Sequence, residues 1–382
     1  MEYSNEPLYM QIYNKLKDDI YSGKYPKRKR LPTEQELCFK YHVSRITSKK
    51  ALNMLADEKL IVRIKGKGSY VAHSRATKSS EGDNVTNDKA NKAIGLIISD
   101  FDDACGRDIL LAIEKRCRDN DIMLMLARSE SDQRIEENIL EDMISHGVVG
   151  IIIMPVQGVY YSAKLLQLVL DGFPLVVIDR ELRGIPAHFV GTDNVKAAEE
   201  AMDYLIGTGH KDIGVYTMEV KKTSSLEDRM EGIHRSLKKH NTTLDPVLFF
   251  SKLKSTASEK NQQELFEQDK KVVREHLLSH KNIKAVIALE YYVALVLSSV
   301  ISDLNLSVPN DIEIVCFDSP KLHYYTHMRQ DQAGIGEKAV DLVLDILNND
   351  TVEGAIKIAF PAKMVFGDST SPIKKLNLHS NS

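Results

Sequence analysis

The stretch YHVSRITSKKAL, residues 41–52, carries two kinds of information at once. Ser48, Ala51 and Leu52, with Leu55 beyond, recur on one side of a 3.6-period helix and predict a face that packs inward. Around them stand Arg45, Thr47, Lys49 and Lys50, cations and hydroxyls with no acidic residue among them. Ser44 is placed to cap this helix, because its hydroxyl can accept an N–H that the first turn leaves unpaired. Such a helix either meets a polyanion or is a solvated basic face. The neighbouring segments decide between the two.

Upstream, Leu8, Ile12, Leu16 and Ile20 repeat every four residues and predict one amphipathic helix. SGKYPKRKRLP then breaks helical structure with Gly23, Pro26 and Pro32. In TEQE, Thr33 is followed three residues later by Glu36, a capping box opening a second helix that carries Leu37 and Phe39 and ends near His42. The helix capped by Ser44 runs to about Lys59. LIVRIKGKGSYV next alternates apolar and polar residues about Gly66 and Gly68, a hairpin with Lys65 and Lys67 at its tip. Two short helices joined by a tight turn, then a basic hairpin, predict an α+β winged helix-turn-helix. The start of the third helix then enters the major groove of double-stranded DNA. Arg45 has the fork geometry to read guanine, Thr47 and Ser48 can bind phosphate or base edges, and Lys49, Lys50, Lys65 and Lys67 hold the backbone. A lone surface lysine means little; the joint pattern carries the reading.

From Pro7 to Val71 the chain resembles the GntR-family DNA-binding domain, most specifically in LPTE, VSR and GKGSYV. By position, that resemblance implies DNA contacts from Arg45, Thr47, Lys49 and the Lys67-Gly68 wing. Many members carry a basic residue after LPTE; here it is Gln35, which can still contact base or phosphate but adds no charge.

The charge distribution agrees. Net charge over 382 residues is −3, yet residues 1–75 hold 16 Lys and Arg against 8 Asp and Glu, and the remainder 35 against 46. A basic head on an acidic body puts the polyanion at the head. Hydrophobic content of 43% is ample for two or three packed domains. No run of about 18 apolar residues suggests a membrane span, and MEYSNEPLYM has no secretory pattern, so a cytoplasmic chain is expected. Cys38, Cys105, Cys117 and Cys316 lie far apart without a Cys/His cluster, predicting buried thiols and neither metal nor disulfides. The segment SRATKSSEGDNVTNDKAN has linker composition. The expected organisation is a head at 1–73, a linker at 74–91, a second domain at 92–370 and a polar tail at 371–382 without a leucine heptad.

In the second domain AIGLIIS, IMLMLA, VVGIIIM, PLVVID, DIGVYT, AVIAL and IEIVCF are apolar runs separated by helical patterns. Such runs predict doubly wound parallel α/β sheets, and the length suits two lobes with a cleft between them. Ligands of such sheets bind beyond the carboxyl ends of the strands. The polar residues there include Ser99 to Asp103, Asp179-Arg180, Glu219, Glu290-Tyr291 and Asp318. A single aspartate after a strand is more often a helix cap; five polar strand ends facing one cleft favour a site. His210, in GTGHKD, reads as a group at a helix C-terminus.

This half resembles the LacI/GalR repressor core, the two-lobed type I periplasmic-binding-protein fold, in FPLVVIDRELRGIPAHFVGTDN, SLEDRMEGIHRSL, SVPNDIEIVCFDS and MRQDQAGIGEKAVDLV. The resemblance implies effector contacts from Asp179, Arg229, Asp318 and Gln330; Asp102 stands at the first strand end. Where the family has an Asn-Asp pair this chain has Glu290-Tyr291, a carboxylate for a hydroxyl and a ring to stack on a sugar. Carboxylates and arginine suit vicinal hydroxyls. A GntR-type head on a LacI-type core resembles the arrangement of the L-arabinose-responsive repressors of Gram-positive bacteria, which implies a homodimer on a palindromic operator, released by L-arabinose or another pentose or polyol. The rival readings are a sugar-binding protein of transport or chemotaxis type, disfavoured by the basic head, and a sugar-metabolising enzyme. No Walker loop, HExxH or GxSxG supports the enzyme, so no catalytic residue, metal or cofactor is assigned.

Overall fold

Two hydroxyls fix where the second and third helices of the head begin. In the computed structural model, Thr33 accepts from the Glu36 N–H at 3.2 Å while the Glu36 carboxylate accepts from the Thr33 N–H at 2.7 Å, so the expected capping box is complete. Ser44 accepts from the Thr47 N–H at 3.2 Å. The structure describes residues 7–22, 24–25, 29–58, 60–64, 68–71, 92–99, 106–158, 160–218, 220, 223–254, 262–319, 324–348 and 354–371. The chain separates into two compact units, Met1–Thr86 and Asn87–Ser382. The expected linker 74–91 lies outside the described residues, as does the tail beyond Ser371.

The head contains α1 (Leu8–Tyr21), α2 (Glu34–Tyr41), α3 (Arg45–Asp57) and an antiparallel hairpin of β1 (Ile61–Ile64) and β2 (Gly68–Val71), with Ile61 opposite Val71. Its core is Ile12, Leu16, Leu31, Leu37, Ala51, Leu52, Leu55 and Ile61. Phe39 departs from the expectation: it is 85% exposed. A two-turn helix has room for one inward stripe, and Leu37 with Tyr41 takes it. Leu8, at the open start of α1, is also exposed.

The larger unit runs β3 (Ala93–Ile98), α4 (Arg107–Asp119), β4 (Met123–Arg128), α5 (Gln133–Ser145), β5 (Gly150–Ile153), α6 (Ala163–Leu170), β6 (Leu175–Ile178), β7 (His188–Thr192), α7 (Asn194–Gly207), β8 (Ile213–Tyr216), α8 (Ser224–Lys239), β9 (Phe249–Phe250), α9 (Gln262–Ser279), β10 (Ala285–Ala288), α10 (Tyr291–Asp303), β11 (Glu313–Phe317), β12 (Thr326–Arg329), α11 (Gln332–Asn348), β13 (Lys357–Phe360) and β14 (Lys363–Val365). Two six-stranded sheets result, ordered β13-β7-β6-β5-β3-β4 and β14-β12-β11-β10-β8-β9, parallel except for β14. The first sheet is covered by α4 and α11 on one face and by α5 and α6 on the other. The second is covered by α7 and α8, and by α9 and α10. The expected doubly wound two-lobed fold is present, and the chain passes between lobes three times, after β7, β12 and β13.

Within each lobe one helix pair closes through a glycine. A Cβ on Gly232 of α8 would lie 2.0 Å from the Val195 carbonyl oxygen of α7, and one on Gly336 of α11 would lie 2.7 Å from that of Ile109 on α4. Backbone cannot yield as a flexible side chain can. Gly232→Ala is expected to destabilise the larger unit by about 1–3 kcal/mol or more, with Gly336→Ala the milder of the two. Urea unfolding midpoints measure both, and unchanged midpoints would show that the helices separate freely.

Candidate functional site

On the head, Arg45, Ile46, Lys49 and Lys50 form an exposed strip along the start of α3. Ser48 does not join it. It is fully buried, donates to the Arg45 carbonyl at 3.1 Å and lies 3.3 Å from the Cys38 sulfur. The expectation that Ser48 reaches DNA is therefore corrected: 3.6-residue periodicity turns it inward with Ala51 and Leu52. Thr47 is half-buried with its hydroxyl 2.9 Å from that of Ser44, so it serves the cap. The Lys50 ammonium sits 3.8 Å above the Tyr9 ring, tied back to α1 by a cation–π contact. Gln35 is exposed on α2. Lys65, Gly66 and Lys67 lie outside the described residues. Gly68 has φ +117°, and a Cβ there would stand 3.0 Å from Arg30 Nε. Arg30, bridged through its backbone to Tyr70, thus adds a cation beside the hairpin. Sequence reasoning had absorbed it into a turn.

In the larger unit, the strand ends converge. Asp179 follows β6 and Asp318 follows β11, both with positive φ (63° and 60°). Each donates its N–H to the strand alongside, to Val190 O at 3.3 Å and to Met328 O at 3.2 Å. Asp179 lies 3.4 Å from Arg180, whose guanidinium also donates to the Pro155 carbonyl at 3.1 Å. Arg229, on α8, is 5% exposed. It donates to Asn194 Oδ1 at 2.8 Å and to the Leu289 carbonyl, and lies 4.0 Å over the Phe317 ring. Gln330 donates to Asp318 at 2.7 Å and accepts from Thr192 at 2.5 Å, joining the end of β12 to the end of β7 in the other lobe. At the mouth, Arg183 pairs with Glu181 in its own lobe and with Asp228 across the cleft. A cavity of about 190 Å³ lies there, lined by Val156, Tyr161, Arg180, Arg183, Ser224 and Glu227 among others.

Glu290 stands at the N-cap of α10 with one carboxylate oxygen buried and without a hydrogen bond. Burial pushes its pKa up to about 7 against the pull of Arg229 and Arg180. Burial likewise pushes Asp318 up to about 6, opposed by Arg229 and by the hydrogen bond from Gln330. Tyr291 turns its ring edge-on to Tyr325, centroids 5.9 Å apart, and Tyr292 does the same with Phe266 at 5.7 Å, so both rings already pack within the protein. Asp102 and Glu219 lie outside the described residues. Thr192 and Asn194 were missed because HFVGT is too short and polar to read as a strand, which hid GTDN as its end. His210 closes the end of α7 through its N–H to Leu205 O at 3.2 Å, while its ring meets Glu313 at 3.2 Å. Among the described residues no group of His, Cys, Asp or Glu could hold a metal ion, and no helix is long and apolar enough to cross a membrane.

Comparison with known proteins names both units. The family described as "Bacterial regulatory proteins, gntR family" matches residues 8–71, and "Periplasmic binding protein-like domain" matches residues 202–370. The chain joins a gntR-family helix-turn-helix head to a periplasmic-binding-protein-like core of LacI type, the domain order of a transcriptional regulator. It is similar along nearly its whole length to two proteins named "Arabinose metabolism transcriptional repressor". The one from Geobacillus stearothermophilus is 26% identical, covering 96% of this chain and 98% of that protein. The one from Halalkalibacterium halodurans is 23% identical, covering 97% and 98%. The crystal structure of the transcription regulator CcpA of Lactococcus lactis covers 74% of this chain and all of that one, at 23% identity and a TM-score of 0.63, and shares the fold.

The raised carboxyls make the core sensitive to pH. A carboxyl whose pKa is higher folded than unfolded holds its proton more tightly in the folded state. The stability it confers is complete below the ordinary value near 4 and is lost as pH rises through the folded pKa. For Asp318 that loss lies between about pH 4 and 6 and is on the order of 3 kcal/mol. Urea unfolding followed against pH should show this decline, and Asp318→Asn should remove its share, leaving the variant the more stable protein at pH 8. A profile unaltered by Asp318→Asn would mean that the carboxyl titrates normally.

Proposed function

We propose that this chain is a transcriptional repressor that binds operator DNA through its head and releases it when a small sugar, L-arabinose, fills the cleft of its core. One observation carries the reading: the buried Asp318–Gln330–Thr192 chain runs from a candidate effector carboxylate straight to two of the passages between lobes. A ligand competing for Asp318 or Gln330 therefore acts on the hinge itself. Sugar hydroxyls donate to Asp179, Asp318 and Glu290, and Arg229 and Gln330 supply donors for hydroxyl and ring oxygens. The similarity to two named arabinose metabolism repressors supports the choice of sugar.

In this reading two copies pair and set two heads on a palindromic operator, α3 of each in a major groove. Arg45 reads a base; Lys49, Lys50 and the wing hold phosphates. Gln35, exposed on α2, contacts base or phosphate in the same reading. Sugar closes the lobes and lowers operator affinity, a coupling typically worth about 1–3 kcal/mol, and bound operator lowers sugar affinity by the same factor. A chain that acts on an operator works in the cytoplasm, where the DNA is. The protein then needs no cofactor beyond its effector.

The test is a gel shift with purified full-length protein and L-arabinose, D-xylose, D-ribose and D-galactose in parallel. L-Arabinose should release operator at the lowest concentration and raise the melting temperature. Arg229→Ala should lose that thermal shift yet stay on operator at sugar concentrations that free the wild type. If Arg229→Ala releases operator normally, the effector site lies elsewhere; if another sugar is the more potent, the cleft stands and the choice of arabinose falls.

A further inference from the structure

Ile46 is 80% exposed in the first turn of α3, while Ser48, Ala51, Leu52 and Leu55 of the same helix are buried. It stands between Arg45 and Thr47, one turn ahead of Lys50, on a strip whose other members are cations. A β-branched aliphatic residue has lower helix propensity than alanine and gains nothing from water. Thr47 and Ser48, which the sequence offered as base or phosphate contacts, spend their hydroxyls on the Ser44 cap, on the Arg45 carbonyl and beside the Cys38 thiol. What remains outward on this turn is one guanidinium and one aliphatic side chain. The major groove contains one apolar feature for such a side chain to meet, the 5-methyl group of thymine. Phosphates and the polar edges of guanine, cytosine and adenine give it no partner.

We infer that Ile46 is a specificity-determining residue that packs on a thymine methyl group next to the base pair read by Arg45. The inference rests on the proposed reading that α3 enters the major groove, and adds a second letter to what the helix reads: a T·A pair beside the Arg45-dependent G·C pair. An aliphatic contact carries no charge, so its contribution persists at salt concentrations that weaken the lysine contacts.

The experiment uses the full-length chain and a duplex that it selects from a random-sequence library. Each thymine of one half-site is replaced in turn by uracil, which removes only the methyl group. Wild type should lose about fourfold in affinity at one position, the worth of one buried methyl group at ~0.8 kcal/mol. Ile46→Ala should bind the thymine duplex more weakly by at least as much, keep the wild-type melting temperature, and show no further loss on the uracil duplex. Ile46→Val, which keeps a branched aliphatic side chain, should retain uracil sensitivity. The inference is overturned if the wild type is indifferent to every uracil, or if Ile46→Ala is as sensitive as wild type at each. A separate arm tests the underlying reading: Arg45→Ala should relax selectivity at one neighbouring G·C pair. If no duplex is selected, or Arg45→Ala selects as the wild type does, α3 is not the reading helix and both claims fall.

Discussion

An arginine with a twentieth of its surface in solvent must have its guanidinium satisfied by the protein, and meeting that demand for Arg229 arranges the cleft. Its donors go to Asn194 at the start of α7 and to the Leu289 carbonyl at the end of β10, and its flat face rests on Phe317 at the end of β11. Three elements are thereby fixed around one cation. Asp318 follows Phe317 directly, so the same anchoring sets the carboxylate that Gln330 holds. The positive field of Arg229 opposes the desolvation of Asp318 and Glu290. Without it, two buried carboxyls would lose the nearest cation that offsets their desolvation, a more costly arrangement than the one observed.

The lobes touch at both ends of the cleft, by bonds of different kinds. At the base, Thr192 and Gln330 are buried and join two passages of the chain. At the mouth, Arg183 and Asp228 form an ion pair whose partners remain partly in water, worth at most about 1 kcal/mol. The base is a pivot and the mouth a weak clasp. Under the proposed reading, a ligand between them needs only modest differential affinity to shift the lobes.

Much of this was legible in the sequence. The capping box, the Ser44 cap and the inward face of α3 follow from local rules, and the seven apolar runs became β3, β4, β5, β6, β8, β10 and β11. The short strands β7, β12, β13 and β14 were not legible, because THMR, KIAF and KMV lack apolar periodicity and are strands only through their neighbours. Asp179, Arg229, Asp318 and Gln330 were named from resemblance and do gather at the strand ends. Of their actual partners, the Leu289 carbonyl was invisible because a backbone acceptor leaves no mark in the sequence, and the Thr192 and Asn194 side chains because β7, at whose end they stand, could not be read as a strand. Ser48 lies in the turn that faces the expected groove, but helical phase turns it inward, and phase decides.

The matched backbone of Asp179 and Asp318 bears on how this fold can change its ligand. Both aspartates occupy the left-handed region, where a side chain branched at Cβ is strained and glycine, asparagine and aspartate sit most comfortably. Evolutionary drift at these two positions is biased toward that short alphabet by the main chain. Glu290, at an ordinary extended φ of −148°, carries no such restriction, and neither does Tyr291 in the helix that follows. Substitution is therefore far freer at the Glu290-Tyr291 pair than at the aspartates, and under the proposed reading that pair is where a change of effector is written most readily.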